Sequence, residues 1–84
     1  MIHIQENLLD DNTIAIKLDG VLDQGAIPVL EDVCDRHLSS DKAVLLNLEE
    51  MVHVTREGRA FLRELAKKVR IANLPEFIRL EHHA

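Results

Sequence analysis

Alternating apolar and polar positions predict that the chain begins with two β-strands. Residues 1–5 and residues 13–18 both repeat with a period of two, which is typical of a strand with one buried face. Between them, residues 7–12 end in Asp and Asn, whose side chains bond to the neighbouring backbone and favour turns. We therefore expect an antiparallel hairpin, with its second strand ending at Asp19-Gly20.

A first helix is predicted after this hairpin. From Ile27 the apolar positions recur at helical spacing. Asp23 is a suitable N-cap for such a helix. Pro28 is tolerated only if the helix begins near residues 24–26, because the first amide groups of a helix have no internal partner. Residues 39–41 are polar and are expected to close it.

The most apolar stretch, residues 43–48, predicts a central strand that is buried on both faces. A strand, helix, strand order favours a right-handed crossover, so we expect this strand to run parallel to the strand at residues 13–18. Residues 49–55 are predicted to form a loop with two apolar anchors, Met51 and either Val52 or Val54. A second helix is expected to begin at about Arg56.

Beyond this helix the pattern leaves two alternatives open. Residues 69–73 fit either a short fourth strand or a continuation of the helix, since no Gly or Pro separates them from Leu65. Pro75 ends whatever precedes it, and residues 75–81 predict a short terminal helix with Pro at its first position. Residues 80–83, LEHH, resemble the start of a purification tag but are interpreted as native and are given no function.

Composition and charge narrow the class of protein. A chain of 84 residues predicts one domain, spanning residues 1–84. A net charge of −5 and only two aromatic residues argue against nucleic-acid binding, which needs a basic surface or stacking platforms. No apolar run has the length of a membrane span, and no export signal is present at the N-terminus. We expect a soluble cytoplasmic protein without membrane insertion.

Candidate chemistry is sparse. Cys34 is the single cysteine, so no internal disulfide can form; this fits a reducing cytoplasm, and an apolar helix face predicts a buried, inert thiol. The five histidines lack the spacing of metal ligands. No nucleophile motif or Gly-rich phosphate loop is present. We therefore expect no enzyme activity, no cofactor and no metal.

Three segments, in order, resemble the STAS domain of bacterial anti-sigma factor antagonists. Residues 14–23, IAIKLDGVLD, are similar to the family's strand and its entry to the first helix. Residues 43–51, AVLLNLEEM, resemble its central strand and acidic turn. Residues 52–58, VHVTREG, fall where the family carries an Asp-Ser-Ser-Gly loop before its second helix. The resemblance implies an α/β fold, a mixed sheet of three to four strands with two to three helices.

The loop departs from the family at its functional residues. With Gly58 on the motif glycine, Thr55 stands at the Asp, Arg56 at the first Ser and Glu57 at the second. In switching members of the family the first Ser is phosphorylated by a partner kinase, and Arg56 has no hydroxyl. The resemblance therefore does not carry over the phosphoswitch. Thr55 is either a cap for the second helix or a displaced phosphosite.

What the resemblance implies is a protein-interaction module in bacterial regulation that binds a partner such as an anti-sigma factor kinase. The implied partner-binding residues lie in the loop and beside it: Asp23, Met51, Thr55, Arg56, Glu57, Gly58 and Arg59. Two other functions are compatible with the same sequence. One is a small subunit of a transport or lipid-trafficking complex, and the other is a purely oligomerising scaffold.

The C-terminal part is shorter than in the family. The interval from Gly58 to Pro75 is compressed, and the chain stops where the family continues through another strand and helix. We expect roughly the fourth strand and its turn to be lost and the fold to be truncated at the C-terminus. Such a cut exposes an apolar sheet edge, which predicts cover by a partner or by self-association as a homo-oligomer, for example a dimer.

Overall fold

A computed structural model of the protein describes residues 2–78 and contains one mixed β-sheet. The sheet order is β1-β2-β3-β4, with β1 antiparallel to β2 and the other neighbours parallel. This arrangement confirms the predicted hairpin and the parallel crossover. The elements are β1 (Ile2–Asp10), β2 (Thr13–Leu22), α1 (Ile27–Ser39), β3 (Ala43–Val54), α2 (Arg56–Leu65) and β4 (Arg70–Ala72).

The hairpin turn is tighter than predicted. The sequence suggested a turn over residues 7–12, whereas β1 continues to Asp10 and only two residues connect it to β2. The backbone N–H of Asn12 donates to Oδ1 of Asp10 at 2.8 Å, so the Asp side chain closes the turn by itself. Asn7 and Leu8 thereby pair with β2, and Leu9 lies at the irregularity before Asp10.

Strands β2 and β3 both extend beyond their predicted ends. Gly20 does not end β2 but lies within it, with φ 107°. The predicted loop at residues 49–55 is wrong, since β3 runs on to Val54. Register shifts near Gly20 allow the two strands to keep pairing. The polar Glu49 and Glu50 are tolerated there because their side chains are exposed.

The core lies on one face of the sheet. Burial alternates along β2 and β3, and both helices contribute side chains to the same cluster. The prediction that β3 is buried on both faces is wrong, because Leu45 and Asn47 on its second face are only half-buried. The largest fully buried side chains are Ile16, Leu18, Leu22, Leu30, Cys34, Leu46, Leu48, Val54 and Leu62.

The segment left open between strand and helix is a strand. After α2 ends at Leu65, β4 pairs in parallel with residues 45–47 of β3. The expected loss of the fourth strand is therefore wrong, although β4 is only three residues long. Residues 75–78 form a turn rather than the start of the predicted terminal helix, with the N–H of Ile78 donating to the carbonyl of Pro75 at 3.0 Å. The rest of that helix and the segment at residues 80–83 lie outside the described residues.

Candidate functional site

The candidate residues meet because β2 and β3 are parallel and end together. Leu22 and Val54 are paired at the carboxyl ends of these strands. Asp23 and Thr55 follow them directly, and α2 begins at Arg56. Side chains that are distant in sequence therefore lie together at the carboxyl ends of these two parallel strands, where α/β proteins often bind ligands.

Thr55 is the N-cap of α2. Its backbone is extended, with φ −72° and ψ 172°, and its Oγ1 accepts a hydrogen bond from the N–H of Gly58 at 3.1 Å. The same hydroxyl donates to the carbonyl of Leu22 at 3.3 Å. Of the two interpretations of Thr55, the helix cap is confirmed, and the displaced phosphosite is left as an alternative for experiment.

Gly58 lets α2 approach the end of β2 closely. A Cβ atom at this position would lie 2.6 Å from the carbonyl oxygen of Leu22 and 2.9 Å from Cγ1 of Val54. Contacts of this length are shorter than real Cβ atoms make. The local sequence pattern does not signal this contact, because it depends on the distance between a helix and a strand that are far apart along the chain.

Asp23 stabilises the turn that precedes α1 and does not cap the helix itself. Its Oδ1 accepts from the N–H of Ala26 at 3.0 Å, and its carbonyl accepts from Ile27 at 3.2 Å. The prediction that Asp23 caps α1 is therefore wrong, since the N-cap is Ala26, which makes no side-chain capping bond. Pro28 lies in the first turn of α1, where a missing amide hydrogen is tolerated. The turn from Asp23 to Ala26 occupies the residues that were expected to begin the helix.

The remaining predicted residues divide into exposed and buried ones. Arg56 and Glu57 are exposed in the first turn of α2, where Glu57 faces the positive end of the helix dipole. Arg59 is half-buried, and its Nη1 donates to the carbonyl of Val54 at 3.4 Å. Met51 is only 5% exposed, so it packs beneath the surface and is not part of it. We call the accessible set, Asp23, Thr55, Arg56, Glu57 and Arg59, the α2-start surface.

Sequence reasoning missed an apolar neighbour of this surface. Val52 lies near the carboxyl end of β3, three residues before Thr55, and its side chain is 71% exposed. An exposed apolar side chain beside charged ones is common in protein-interaction surfaces. The sequence analysis left Val52 and Val54 as alternative anchors of a loop. Val54 is the buried one, and the register shift that leaves Val52 exposed is not visible in the apolar pattern.

The other candidate groups lie away from the α2-start surface. His37 in α1 contacts Glu6 of β1. Cys34 is buried and unpaired, and burial, with a smaller effect from the charge of Asp35, raises the pKa of its thiol to about 11. Among residues 2–78, no group of three or more His, Cys, Asp or Glu side chains is placed to hold a metal ion. In the same range no helix is long and apolar enough to cross a membrane.

Comparisons with known proteins identify the fold. No protein-family model matches the chain, and no curated protein matches it in sequence. Among solved structures, it is similar to the anti-sigma factor antagonist SpoIIAA in its unphosphorylated form, with a TM-score of 0.68 at 20% identity over 90% of this chain and 74% of that one. The four-stranded mixed sheet with its two helices is therefore a STAS-like fold, as the sequence resemblance implied.

Two further structures share this fold. A DUF3478-family protein with a SpoIIAA-like fold, from Shewanella loihica PV-4, matches with a TM-score of 0.63 at 18% identity over 90% of this chain and 69% of that one. The protein Mglu matches with a TM-score of 0.70 at 23% identity over 89% of this chain. Only 20% of Mglu is covered, so there the same fold is one part of a much longer chain.

Proposed function

We propose that the protein is a non-catalytic interaction module in bacterial regulation, which binds a protein partner such as an anti-sigma factor kinase through the α2-start surface. The likeness to an anti-sigma factor antagonist supports this class of function. The observation that carries the proposal is that Asp23, Thr55 and the first turn of α2 lie together at the carboxyl ends of β2 and β3.

The chemistry of the surface is that of charge recognition. Arg56 projects from the first turn of α2 and is exposed. A guanidinium group binds a carboxylate through two parallel hydrogen bonds, which gives direction as well as affinity. Glu57 beside it is also exposed and offers the opposite charge. The partner we propose presents a carboxylate to Arg56 and a basic group to Glu57, around the exposed Val52.

The surface is proposed to bind without a phosphate switch. Positions 56 and 57 carry no hydroxyl. The hydroxyl of Thr55 is engaged in two hydrogen bonds, with Gly58 and Leu22. A kinase would have to break both bonds and remove the cap of α2 to use this oxygen. We therefore propose a constitutive binder that acts beside switchable relatives.

A binding experiment with matched charge reversals tests the function. Purified anti-sigma factor kinases from the organism that encodes the chain are titrated against it by calorimetry. Arg56→Glu is expected to weaken binding by about tenfold or more, as loss of a charged contact at an interface does. Lys68→Glu makes the same change of charge at an exposed position beyond the other end of α2 and is expected to leave binding unchanged. No binding to any of the kinases, or equal losses in the two variants, would contradict the proposal.

The absence of a switch has its own test. The protein is incubated with the same kinases and ATP and then weighed by mass spectrometry. We expect no added phosphate. A phosphate on Thr55 would show that the site is switchable after all.

A further inference from the structure

The outer edge of β1 is unusually open to pairing. β1 is nine residues long and forms one edge of the sheet in the described residues. Proteins usually protect such edges with Lys, Pro, a bulge or a short strand. From Ile2 to Leu8 the strand contains neither Lys nor Pro and pairs regularly with β2, and its irregularity lies only between Leu8 and Asp10.

The same edge exposes apolar side chains. Leu8 is 57% exposed and Leu9 is 52% exposed. A long, regular edge strand with exposed leucines is a template for another strand. The opposite edge is different, because β4 has only three residues. Among the described residues β1 is therefore the long edge strand, whereas on the C-terminal side the short β4 pairs only with residues 45–47 of β3.

We propose that a second copy of this chain pairs with β1 in an antiparallel manner, with Glu6 opposite Glu6 of the second copy. The register follows from the sequence of the strand, IHIQENLLD. With Glu6 at the two-fold axis, Ile4 faces Leu8 and Gln5 faces Asn7 of the second copy. Apolar thus meets apolar and carboxamide meets carboxamide on both sides of the axis, as cross-strand pairs prefer.

The neighbouring registers pair less well. With Gln5 at the axis, Glu6 would face Ile4 of the second copy. With Asn7 at the axis, Glu6 would face Leu8. Either shift places the Glu6 carboxylate opposite an apolar side chain in the regular part of β1, twice in each dimer. With Glu6 at the axis the remaining mismatch, Ile2 opposite Asp10, falls at the strand ends, beyond the irregularity between Leu8 and Asp10. Since a strand edge accepts any register that its side chains allow, the central pairs favour the register with Glu6 at the axis.

The two Glu6 carboxylates at the axis are compensated within each copy. Oε1 of Glu6 lies 2.5 Å from Nε2 of His37, and Oε2 lies 3.6 Å from Nη2 of Arg36. Like charges directly opposite each other destabilise a strand pair. Here each Glu6 carboxylate already contacts the guanidinium of Arg36 and the imidazole of His37 in its own copy. The positive charge of Arg36 therefore accompanies each carboxylate at the axis.

The dimer would join the two sheets and leave the α2-start surface free. β1 is antiparallel to β2 in each copy, so antiparallel pairing of the two β1 strands also makes the two β2 strands antiparallel. The carboxyl ends of the two β2 strands then point in opposite directions in the joined sheet. The two α2-start surfaces therefore face away from each other. This inference is independent of which partner the surface binds.

Measurements of the oligomeric state of two matched variants test whether β1 forms the dimer interface. Light scattering and sedimentation over a range of concentrations are expected to show a monomer–dimer equilibrium. Leu8→Lys is expected to raise the dissociation constant by about tenfold or more, because Lys on an edge strand opposes pairing. Leu74→Lys changes an exposed apolar residue that follows β4 at the other edge and should have no effect. A monomer at every concentration, or a dimer weakened only by Leu74→Lys, would overturn the proposal.

Cysteine cross-linking tests the register. Residues directly opposite each other in an antiparallel pair have Cα atoms about 4.5–5.5 Å apart, within the range of a disulfide, whereas diagonal neighbours lie about 7–8 Å apart. Mild oxidation is therefore expected to cross-link Gln5→Cys to Asn7→Cys in a mixture of the two variants, which both keep Glu6, but neither variant to itself, in a chain whose own Cys34 is buried. Dominant cross-linking of either variant to itself would overturn the register, and the absence of any cross-link in the mixture and in both variants alone would overturn β1 pairing.

Discussion

The carbonyl of Leu22 accepts two hydrogen bonds from Thr55, one from the backbone N–H at 3.0 Å and one from Oγ1 at 3.3 Å. The first joins the end of β2 to the residue after β3. The second ties the same carbonyl to the side chain that caps α2. One carbonyl thereby holds together the two strand ends and the helix start from which the α2-start surface is built.

Removal of the Thr55 hydroxyl is expected to destabilise the fold. Thr55→Val keeps the shape of the side chain but loses the bond to the N–H of Gly58, so the free energy of unfolding should fall by about 1 kcal/mol, the usual cost of losing an N-cap. Thr55→Ser keeps the hydroxyl and is expected to lose much less. Urea denaturation of the three proteins measures this order. Equal stability of the Val and Ser variants would show that the cap contributes nothing.

Gly58→Ala is expected to destabilise the protein although Ala favours helices more than Gly by about 1 kcal/mol. The added Cβ would lie 2.6 Å from the carbonyl oxygen of Leu22, and the backbone cannot give way as a flexible side chain can. We expect a net loss of about 1–3 kcal/mol, typical of overpacking.

Gly25→Ala supplies the matched control for this substitution. A Cβ at Gly25 would have Asp23 Oδ1 as its nearest neighbour, at 3.6 Å, an ordinary contact. The same exchange is therefore expected to be close to neutral there. Thermal or urea unfolding distinguishes the two sites, and a Gly58→Ala variant as stable as Gly25→Ala would contradict the close approach of α2 to β2.

The apolar pattern was sufficient for most of the fold. The alternation of residues 13–18 and the helical spacing after Ile27 predict the hairpin, the crossover and the core. Each element buries one face, so its apolar residues recur with the period of a strand or of a helix. The start of α2 at Arg56 was also correct. These features depend on local spacing, which a single sequence carries.

What the sequence did not contain was the pairing between distant strands. Residues 49–54 read as a loop because Glu49, Glu50 and His53 are polar, yet they belong to β3 because β2 continues beside them. The need for Gly58 and the outward position of Val52 follow from that same pairing. The members of the candidate site were found by resemblance, while their contacts came only from the tertiary structure.

Cys34 is expected to resist thiol reagents in the folded protein. Burial raises the pKa of its thiol to about 11, and the thiolate is the reactive form. Modification by a disulfide reagent at pH 8 should therefore be slow in buffer and fast in denaturant, where the thiol is exposed and titrates near its ordinary value. Rapid labelling of the folded protein would show that α1 opens readily or that the thiol is not buried.

The contact between Glu6 and α1 predicts a loss of stability in acid. The hydrogen bond with His37 is the main cause that lowers the pKa of the Glu6 carboxyl below its ordinary value of 4.5, and the charge of Arg36 lowers it further, while burial acts in the opposite direction. Because the folded-state pKa is lowered, the unfolded chain binds more protons than the folded protein between the two values. The stabilisation is therefore present above pH 4.5 and is lost as the pH falls through the folded-state pKa.

Comparison with Glu6→Gln measures this contribution. The variant is expected to be less stable than the natural protein at pH 7, by less than about 1 kcal/mol because solvent screens a pair this exposed, and the difference should vanish toward pH 3. Unfolding is followed at concentrations where light scattering shows a monomer, so that pairing of β1 does not enter. Glu64→Gln is the control, since its pair with Lys67 is exposed on both sides, at 69%, and should change stability little at either pH. A Glu6→Gln difference that stays constant from pH 7 to pH 3 would show that the contact between β1 and α1 does not depend on the charge of this carboxylate.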